Sequence, residues 1–183
     1  MKSLQIDKIA VIDFGGPYND LVVRRIRDLN VYCEICMAGN NLDEIIANGY
    51  RGIILTGRPE PELRELSMQY LKQYLTAPVP VLAIGDTAAA MVLVLGGRVE
   101  WSGEEEFGRV EITTDKAGSK LFSSIPSMML CQTDWNCSIL AVPEDYKETS
   151  RAFGGRIISC ENREQKRYAA HFHPESFETT FGV

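Results

Sequence analysis

The sequence predicts one α/β domain over residues 1–183, with a mostly parallel central sheet, helices on both of its faces, and extra antiparallel strands in the second half. Three observations lead to this prediction. Strand-like and helix-like segments alternate over roughly the first hundred residues, as in parallel sheets joined by right-handed helical crossovers. After that, short β-rich runs are joined by polar loops. No repeat, low-complexity tract or linker divides the chain, whose 183 residues match the usual size of one domain.

Four strands are predicted in the first half, because four short apolar runs end in turn-forming residues. They cover residues 9–13, 31–35, 53–56 and 81–84. Amphipathic helices lie between them, with apolar residues at helical spacing: Leu21, Val22, Ile26 and Leu29 in the first, Leu42, Ile45 and Ile46 in the second, and Leu63, Leu66, Tyr70, Leu71 and Tyr74 in the third. A further helix over 87–95 is apolar on every side, so we expect it to be buried.

The second half contains shorter β-rich runs, which we expect to add antiparallel strands beside the parallel sheet. These runs cover residues 109–112, 128–131, 157–160 and 168–172. The three consecutive glutamates at 104–106 predict a solvated charged turn.

The composition excludes several functional classes. The chain is 45% hydrophobic and 24% charged, with a formal net charge of −6, as expected of an ordinary globular protein. An acidic balance argues against binding to nucleic acid, because phosphate groups are neutralised by clustered Lys and Arg. No run approaches the roughly 18 apolar residues of a membrane helix, and the N-terminus lacks the apolar stretch of a signal peptide. We therefore expect a cytoplasmic protein that contacts neither nucleic acid nor a membrane.

The five cysteines predict reduced thiols, because an odd number in a cytoplasmic chain does not suit a disulfide framework. Cys33 and Cys36 form one CxxC pair, a pattern that can mark a metal or redox site. Cys33 shares one face of a predicted strand with Ile35, and no second Cys or His pair completes a zinc site. Core packing is the favoured interpretation, and the sequence predicts no metal and no cofactor.

Five sequence blocks occur in an order and spacing that resemble one known family. They are IAVIDFGGPYNDLVVRRIRDLNVYCEI at 9–35, GIILTGRPE at 52–60, PVLAIGDTAAAMVLVLGG at 80–97, EFG at 106–108 and HFHPE at 171–175. Together they resemble the glutaminase domain of GMP synthetase, a class I glutamine amidotransferase, over almost all of the chain. The family has a DFGSQY-type motif in the first block, GIILSGGPE in the second and PVLGICYGMQ in the third. The resemblance implies the flavodoxin-like fold of that family.

The resemblance also implies a mechanism, which requires three side chains. Family members release ammonia from glutamine through a covalent thioester, so they need a cysteine at a sharp strand-to-helix elbow, a histidine to activate it and a carboxylate to orient the histidine. His173 and Glu175 match the histidine and the carboxylate, but Gly85 stands at the position of the cysteine. Loss of the nucleophile from a comparable triad costs roughly a millionfold in turnover. We therefore expect no glutaminase activity.

Other positions that match the family's substrate pocket are also altered. Arg58 follows Gly57 where the family has a second glycine, and its bulk would crowd one wall of the oxyanion hole. Asp86 replaces an aromatic residue beside Gly85. The family's SHGD loop, which helps to hold glutamine, corresponds to residues 131–134, of which Cys131 and Asp134 are candidate substrate contacts. Because three separate loops are changed, natural divergence away from glutaminase activity explains the glycine better than an engineered substitution at one residue.

Three functions remain open at this point. The first is a noncatalytic domain that acts as a binding or regulatory partner of an ATP-pyrophosphatase synthetase, the other half of GMP synthetase. The second is an enzyme with altered amide or ester chemistry, in which Cys131 or Asp86 acts with His173. For Asp86 a favourable interaction with the helix N-terminus is the favoured interpretation, and for Cys131 packing at a strand end. The third is a sensor whose vacated pocket, with Arg58 available to an anion, binds a small molecule such as glutamine. A homodimer is compatible with each.

Overall fold

The strands and helices of the first half form where the apolar pattern predicts them. The computed structural model describes residues 7–58 and 64–182. Its first eight elements are β1 (Lys8–Asp13), α1 (Asn19–Asp28), β2 (Tyr32–Met37), α2 (Leu42–Ala47), β3 (Gly52–Thr56), α3 (Arg64–Leu75), β4 (Val81–Ile84) and α4 (Asp86–Val94). Leu63, which was predicted to begin the third helix, lies outside the described residues. The Asn41 side chain accepts a hydrogen bond from the Asp43 N–H and caps α2, because a helix N-terminus has unpaired N–H groups.

The second half consists of five strands, two of which are much longer than predicted. They are β5 (Arg98–Thr114), β6 (Met128–Ala141), β7 (Lys147–Ala152), β8 (Ile157–Asn162) and β9 (Arg167–Ala170). The prediction of a turn at 104–106 was wrong, because these glutamates lie within β5, at an irregularity in its pairing with β6. All three are exposed to solvent, as expected. β7 was not predicted.

Within residues 7–58 and 64–182 the nine strands form one sheet, in the order β2-β1-β3-β4-β9-β8-β6-β5-β7. The first four pairings are parallel, and the pairings among β9, β8, β6, β5 and β7 are antiparallel. An additional antiparallel pairing joins β7 back to β8, so β5 to β8 close into a small barrel. The expectation of a mostly parallel sheet was therefore wrong for the sheet as a whole, because this barrel contributes more pairings than expected.

β9 connects the parallel part of the sheet to the barrel. We expected residues 168–172 to form an added antiparallel strand, but β9 pairs in parallel with β4 and antiparallel only with β8. Its four residues are all buried, as expected of a central strand that is covered on both faces. This position brings the chain that follows β9 next to the end of β4, where the elbow lies.

Helices cover both faces of the parallel part, as predicted. α2, α3 and α4 pack on one face, with Ile45, Leu71 and Met91 in the core, whereas Val22 and Val23 of α1 pack on the other. α4 is buried from Asp86 to Val92, although Leu93 near its end is 38% exposed. None of the helices in the described part of the chain has the length and apolar character needed to cross a membrane.

The cysteines of the CxxC pair pack on opposite faces of the sheet. Cys33 is fully buried against α1, and Cys36 packs against the core on the other side. Two thiols on opposite faces of one strand cannot form a joint dithiol or half of a metal site. Core packing therefore accounts for this motif.

Candidate functional site

The connection between β4 and α4 forms a sharp elbow at one residue. Gly85 lies between the two elements with φ 60° and ψ −138°, a conformation that residues with a side chain rarely adopt. Its N–H donates to the carbonyl oxygens of Ala170 and Phe172, at 3.0 and 3.2 Å, which ties the elbow to the end of β9. A Cβ atom placed on Gly85 would lie 3.1 Å from Cε1 and 3.7 Å from Nε2 of His173. A side chain at this position would therefore point at the imidazole.

His173 is held in a fixed orientation by Glu175. Its Nδ1 lies 2.8 Å from Oε1 of Glu175, whose side chain is 3% exposed. Its backbone N–H donates to the Gln132 carbonyl at 2.9 Å, and the Tyr18 ring lies 4.6 Å from the imidazole, centroid to centroid. Because Nδ1 is occupied by Glu175, Nε2 is the nitrogen that remains available to a group at the elbow. A base and its orienting carboxylate would need this geometry, and the residue that faces the imidazole from the elbow is Gly85.

Arg58 lies in the same site and is surrounded by carboxylates. Its Nε donates to Asp86, its Nη1 lies 2.6 Å from Oε1 of Glu105, and its Nη2 lies 2.9 Å from Oδ1 of Asp134. Burial alone would lower the pKa of Arg58, but the charges of Asp86 and Asp134 outweigh burial and raise the pKa above its ordinary value. One guanidinium among three carboxylates gives an anionic cluster when all four groups are ionised.

The loop that carries Arg58 is fixed by a close contact between backbones. Gly57 has φ 106°, and a Cβ atom on it would lie 2.0 Å from the Gly15 carbonyl oxygen. That oxygen accepts a hydrogen bond from the Arg58 N–H at 2.8 Å. A side chain at position 57 would therefore push the loops after β1 and β3 apart, so Gly57 sets the position from which Arg58 reaches its partners.

These groups enclose a cavity of about 240 Å³ at the carboxyl ends of the parallel strands. Its lining consists of Gly16, Pro17, Tyr18, Thr56, Gly57, Arg58, Gly85, Asp86, Asp134 and His173. Clefts at this edge of a parallel sheet are the usual ligand sites of α/β folds. Six of the eight predicted site residues line this cavity, and Glu175 lies directly behind His173. Tyr18 and Glu105 were missed. Tyr18 ends the segment DFGGPY, which matches the family's DFGSQY-type motif and could have indicated it, whereas nothing in the local sequence indicates that Glu105 reaches Arg58.

The sequence as a whole matches the family model described as "Glutamine amidotransferase class-I" over residues 10–183. This chain belongs to that family. Among curated relatives, it is 37% identical over 177 residues to "GMP synthase [glutamine-hydrolyzing]" of Agathobacter rectalis and 35% identical over 176 residues to that of Clostridium perfringens. These alignments cover 97% and 96% of this chain but 34% of each relative. The amidotransferase domain thus spans about a third of the length of the relatives it matches.

Solved structures agree on the fold of this class-I glutamine amidotransferase domain. A Thermoplasma acidophilum protein described as a GMP synthase subunit superposes with a TM-score of 0.86 at 24% identity, over 97% of this chain and 88% of that one. A glutamine amidotransferase from Thermotoga maritima superposes with a TM-score of 0.71 at 16% identity, over 92% of this chain and 76% of that one. The recognition of a GMP synthase-type amidotransferase domain from its motifs is thereby confirmed.

Cys131 does not reach the cavity of the amidotransferase domain. It is fully buried in β6, packed among the apolar residues on the α1 face of the sheet. Burial raises the pKa of its thiol to about 12. The prediction that Cys131 contacts a substrate was therefore wrong, because its side chain points into the core while Asp134, three residues later, points into the cavity.

His171 lies behind the elbow and not in the cavity of the amidotransferase domain. It is fully buried, with Nε2 3.8 Å from Oδ1 of Asp86 and 3.7 Å from Sγ of Cys137. Trp135 donates its indole N–H to the His171 carbonyl at 2.7 Å. Burial lowers the pKa of His171, and the neighbouring Asp86 opposes this shift. Nothing in the sequence indicated that Cys137 would lie here.

Proposed function

We propose that this chain is a GMP synthase-type amidotransferase domain that does not hydrolyse glutamine and acts as a binding or regulatory partner of an ATP-pyrophosphatase synthetase. One observation carries the first part of the proposal. Gly85 occupies the elbow that faces His173, so no side-chain atom is present there to attack an amide carbon. An oriented base without a nucleophile cannot form the thioester on which glutamine hydrolysis depends in this family.

The loop that carries Arg58, on another side of the cavity, supports the absence of glutaminase activity. The Arg58 guanidinium lies between Asp86 and Asp134 and is 29% exposed, so a bulky charged side chain lines the cavity where the family has glycine. An oxyanion requires backbone N–H groups that approach closely and are free to donate. Here the Arg58 N–H, on the loop that matches one wall of the family's oxyanion hole, already donates to the Gly15 carbonyl at 2.8 Å. Both the nucleophile and one donor are therefore unavailable.

The partner role is supported by the relatives and by the share of their length that this chain covers. The curated relatives are GMP synthases, and this chain matches about a third of each. The Thermoplasma acidophilum neighbour is described as a GMP synthase subunit. A domain that keeps this fold without the nucleophile would retain the surface for a synthetase while losing the reaction.

Two measurements test the two halves of the proposal separately. The first is ammonia release from glutamine by the purified chain, with and without an ATP-pyrophosphatase subunit from the same organism, and we expect no release above background in either case. The second is native mass spectrometry of the two proteins mixed together, in which we expect a complex of defined stoichiometry. Glutamine turnover would overturn the noncatalytic assignment, and the absence of a complex would overturn the partner role.

The structure disfavours an enzyme that uses Cys131 or Asp86 as nucleophile. Asp86 is bonded to Arg58 at the cavity wall, and Cys131 is fully buried and does not line the cavity. A sensor that binds an anion through Arg58 is also disfavoured, because three carboxylates already surround that guanidinium. The cavity would suit a small ligand with a cationic group better. The sensor hypothesis therefore remains open for a cationic ligand and not for an anionic one.

We expect Cys131 to resist alkylation in the folded protein. With a pKa of about 12, its thiolate fraction at pH about 8 is on the order of one part in ten thousand, and the thiolate is the reactive form. Cys36, which is only partly buried, should be labelled first. Mass spectrometry of peptides after timed iodoacetamide treatment measures both rates. If Cys131 is labelled as fast as Cys36, the thiol is accessible and the altered-chemistry hypothesis regains support.

A further inference from the structure

Three buried side chains of different elements converge behind the elbow. They are Asp86 at the start of α4, Cys137 in β6 and His171 directly after β9. One possible ligand atom from each lies within 4.8 Å of the other two. The separations from His171 Nε2 are 3.8 Å to the Asp86 oxygen and 3.7 Å to the Cys137 sulfur.

These separations are close to those required by a single metal ion. A tetrahedral ion with bonds of about 2.0 to 2.3 Å places its ligand atoms roughly 3.3 to 3.6 Å apart. The two distances from His171 Nε2 exceed this range by a few tenths of an ångström, and the Asp86 oxygen and the Cys137 sulfur lie within 4.8 Å of each other, so an ion would draw the three side chains slightly together. The donors also match one ion, because thiolate, imidazole and carboxylate together are typical ligands of Zn²⁺.

An independent observation points to a cation at this position. Oδ2 of Asp86 is bonded to Arg58, but Oδ1 is buried and has no hydrogen-bond partner among residues 7–58 and 64–182. The Asp86 side chain is only 4% exposed. A buried carboxylate oxygen without a partner is unfavourable, and the unpaired oxygen is the one that faces His171 and Cys137.

We propose that Asp86 Oδ1, Cys137 Sγ and His171 Nε2 bind one Zn²⁺ ion. A thiolate and a carboxylate would balance the charge of the ion, so the buried site would be neutral. Three protein ligands leave one tetrahedral position for a small exogenous ligand.

Such an ion would join three parts of the fold that meet at the elbow. It would fix the first residue of α4 to the barrel strand β6 and to the segment between β9 and His173. The sequence predicted no metal, because these ligands are 34 or more positions apart along the chain and form no spacing motif. The site is independent of the absence of a nucleophile, so it can be tested on its own.

The test is titration of the full chain, purified without chelator, with Co²⁺ as a spectroscopic substitute for Zn²⁺. We expect one ion per chain, with near-ultraviolet charge-transfer absorption from a cobalt–thiolate bond and strong visible bands of a tetrahedral ion. Elemental analysis of the protein as purified should find bound zinc. The cobalt spectrum reports the thiolate ligand in the unmodified protein, so this result does not depend on a variant that folds.

Variants then assign the ligands. Cys137→Ser should abolish the charge-transfer band, and His171→Gln should weaken Zn²⁺ binding by more than about 100-fold, beyond the loss typical of groups outside the ligand sphere. Cys160→Ser is the matched control, because Cys160 is equally buried but lies in β8 outside the cluster, and it should leave the spectrum unchanged. The proposal is overturned if the unmodified chain binds no stoichiometric Co²⁺, or if the thiolate band persists in folded Cys137→Ser.

Discussion

Gly85→Cys should introduce a thiol that is alkylated at neutral pH much faster than an ordinary cysteine. The new Cβ would lie 3.1 Å from the His173 imidazole, and the residue stands at the N-terminus of α4. A neighbouring histidine and a helix N-terminus both lower the pKa of a thiol, from about 8.5 to as low as roughly 3.5 to 7.5. The measurement is the rate of iodoacetamide labelling at position 85 as a function of pH.

Glutaminase activity should require a second change. In Gly85→Cys alone, Arg58 still lines the cavity where the family has glycine, paired with Asp86 and Asp134, so we expect little ammonia release. In Gly85→Cys combined with Arg58→Gly, the cavity is open to glutamine and a nucleophile faces His173. Since loss of a triad nucleophile costs roughly a millionfold, partial recovery should raise ammonia release at least about a hundredfold above background.

The matched control is Gly85→Ala combined with Arg58→Gly. Position 85 has φ 60°, so any side chain there should cost about 1–3 kcal/mol of stability, and alanine and cysteine bear this cost alike. Both double variants also leave Asp86 without its cationic partner. A difference in ammonia release between them therefore reports the thiol alone. A Gly85→Cys thiol that is labelled no faster than Cys36 would show that His173 is not positioned to activate a nucleophile.

The parallel strands could be predicted from sequence because they are buried on both faces. β1 and β4 are nearly continuous apolar runs, and such runs are easily distinguished from the amphipathic helices between them. The barrel strands follow a different rule. The inward-facing residues of β7 include Thr149 and Ser150, whose hydroxyl groups lie 2.7 and 2.6 Å from the Ser159 hydroxyl. Because buried residues of β7 are polar and hydrogen-bond through their hydroxyl groups, the strand has no alternation of apolar residues. Hydrophobic periodicity therefore could not predict β7.

The site was predictable where one short motif carries the residue and unpredictable where the fold brings distant residues together. Gly85 and His173 stand within recognisable motifs, and the structure places them face to face. Arg58 was recognised as an altered position, but its neutralisation by Glu105, 47 positions away, depends on a long strand that the sequence did not reveal. Only the three-dimensional arrangement therefore shows whether Arg58 is free to bind an anion or is already paired with carboxylates.

Arg167→Met should destabilise the fold more than any surface substitution. Arg167 begins β9 and is 6% exposed. Its guanidinium donates to five carbonyl oxygens, those of Leu75, Ala77, Val79, Gln165 and Lys166. Burial lowers the pKa of Arg167, and the nearby Tyr146 opposes this shift. The arginine thus binds the C-terminal end of α3 and the loop before β4 to the central strand β9.

Removing this guanidinium should lower the free energy of unfolding by about 3–5 kcal/mol, because several buried carbonyl groups lose their donors at once. Urea denaturation followed by tryptophan fluorescence measures the change. Arg109→Met is the control, since Arg109 is 57% exposed and its ion pair with Glu178, at 3.2 Å, should contribute less than about 1 kcal/mol. Equal losses for the two variants would mean that the carbonyl groups around Arg167 find water as a substitute donor, and that β9 is held in the sheet by its apolar neighbours alone.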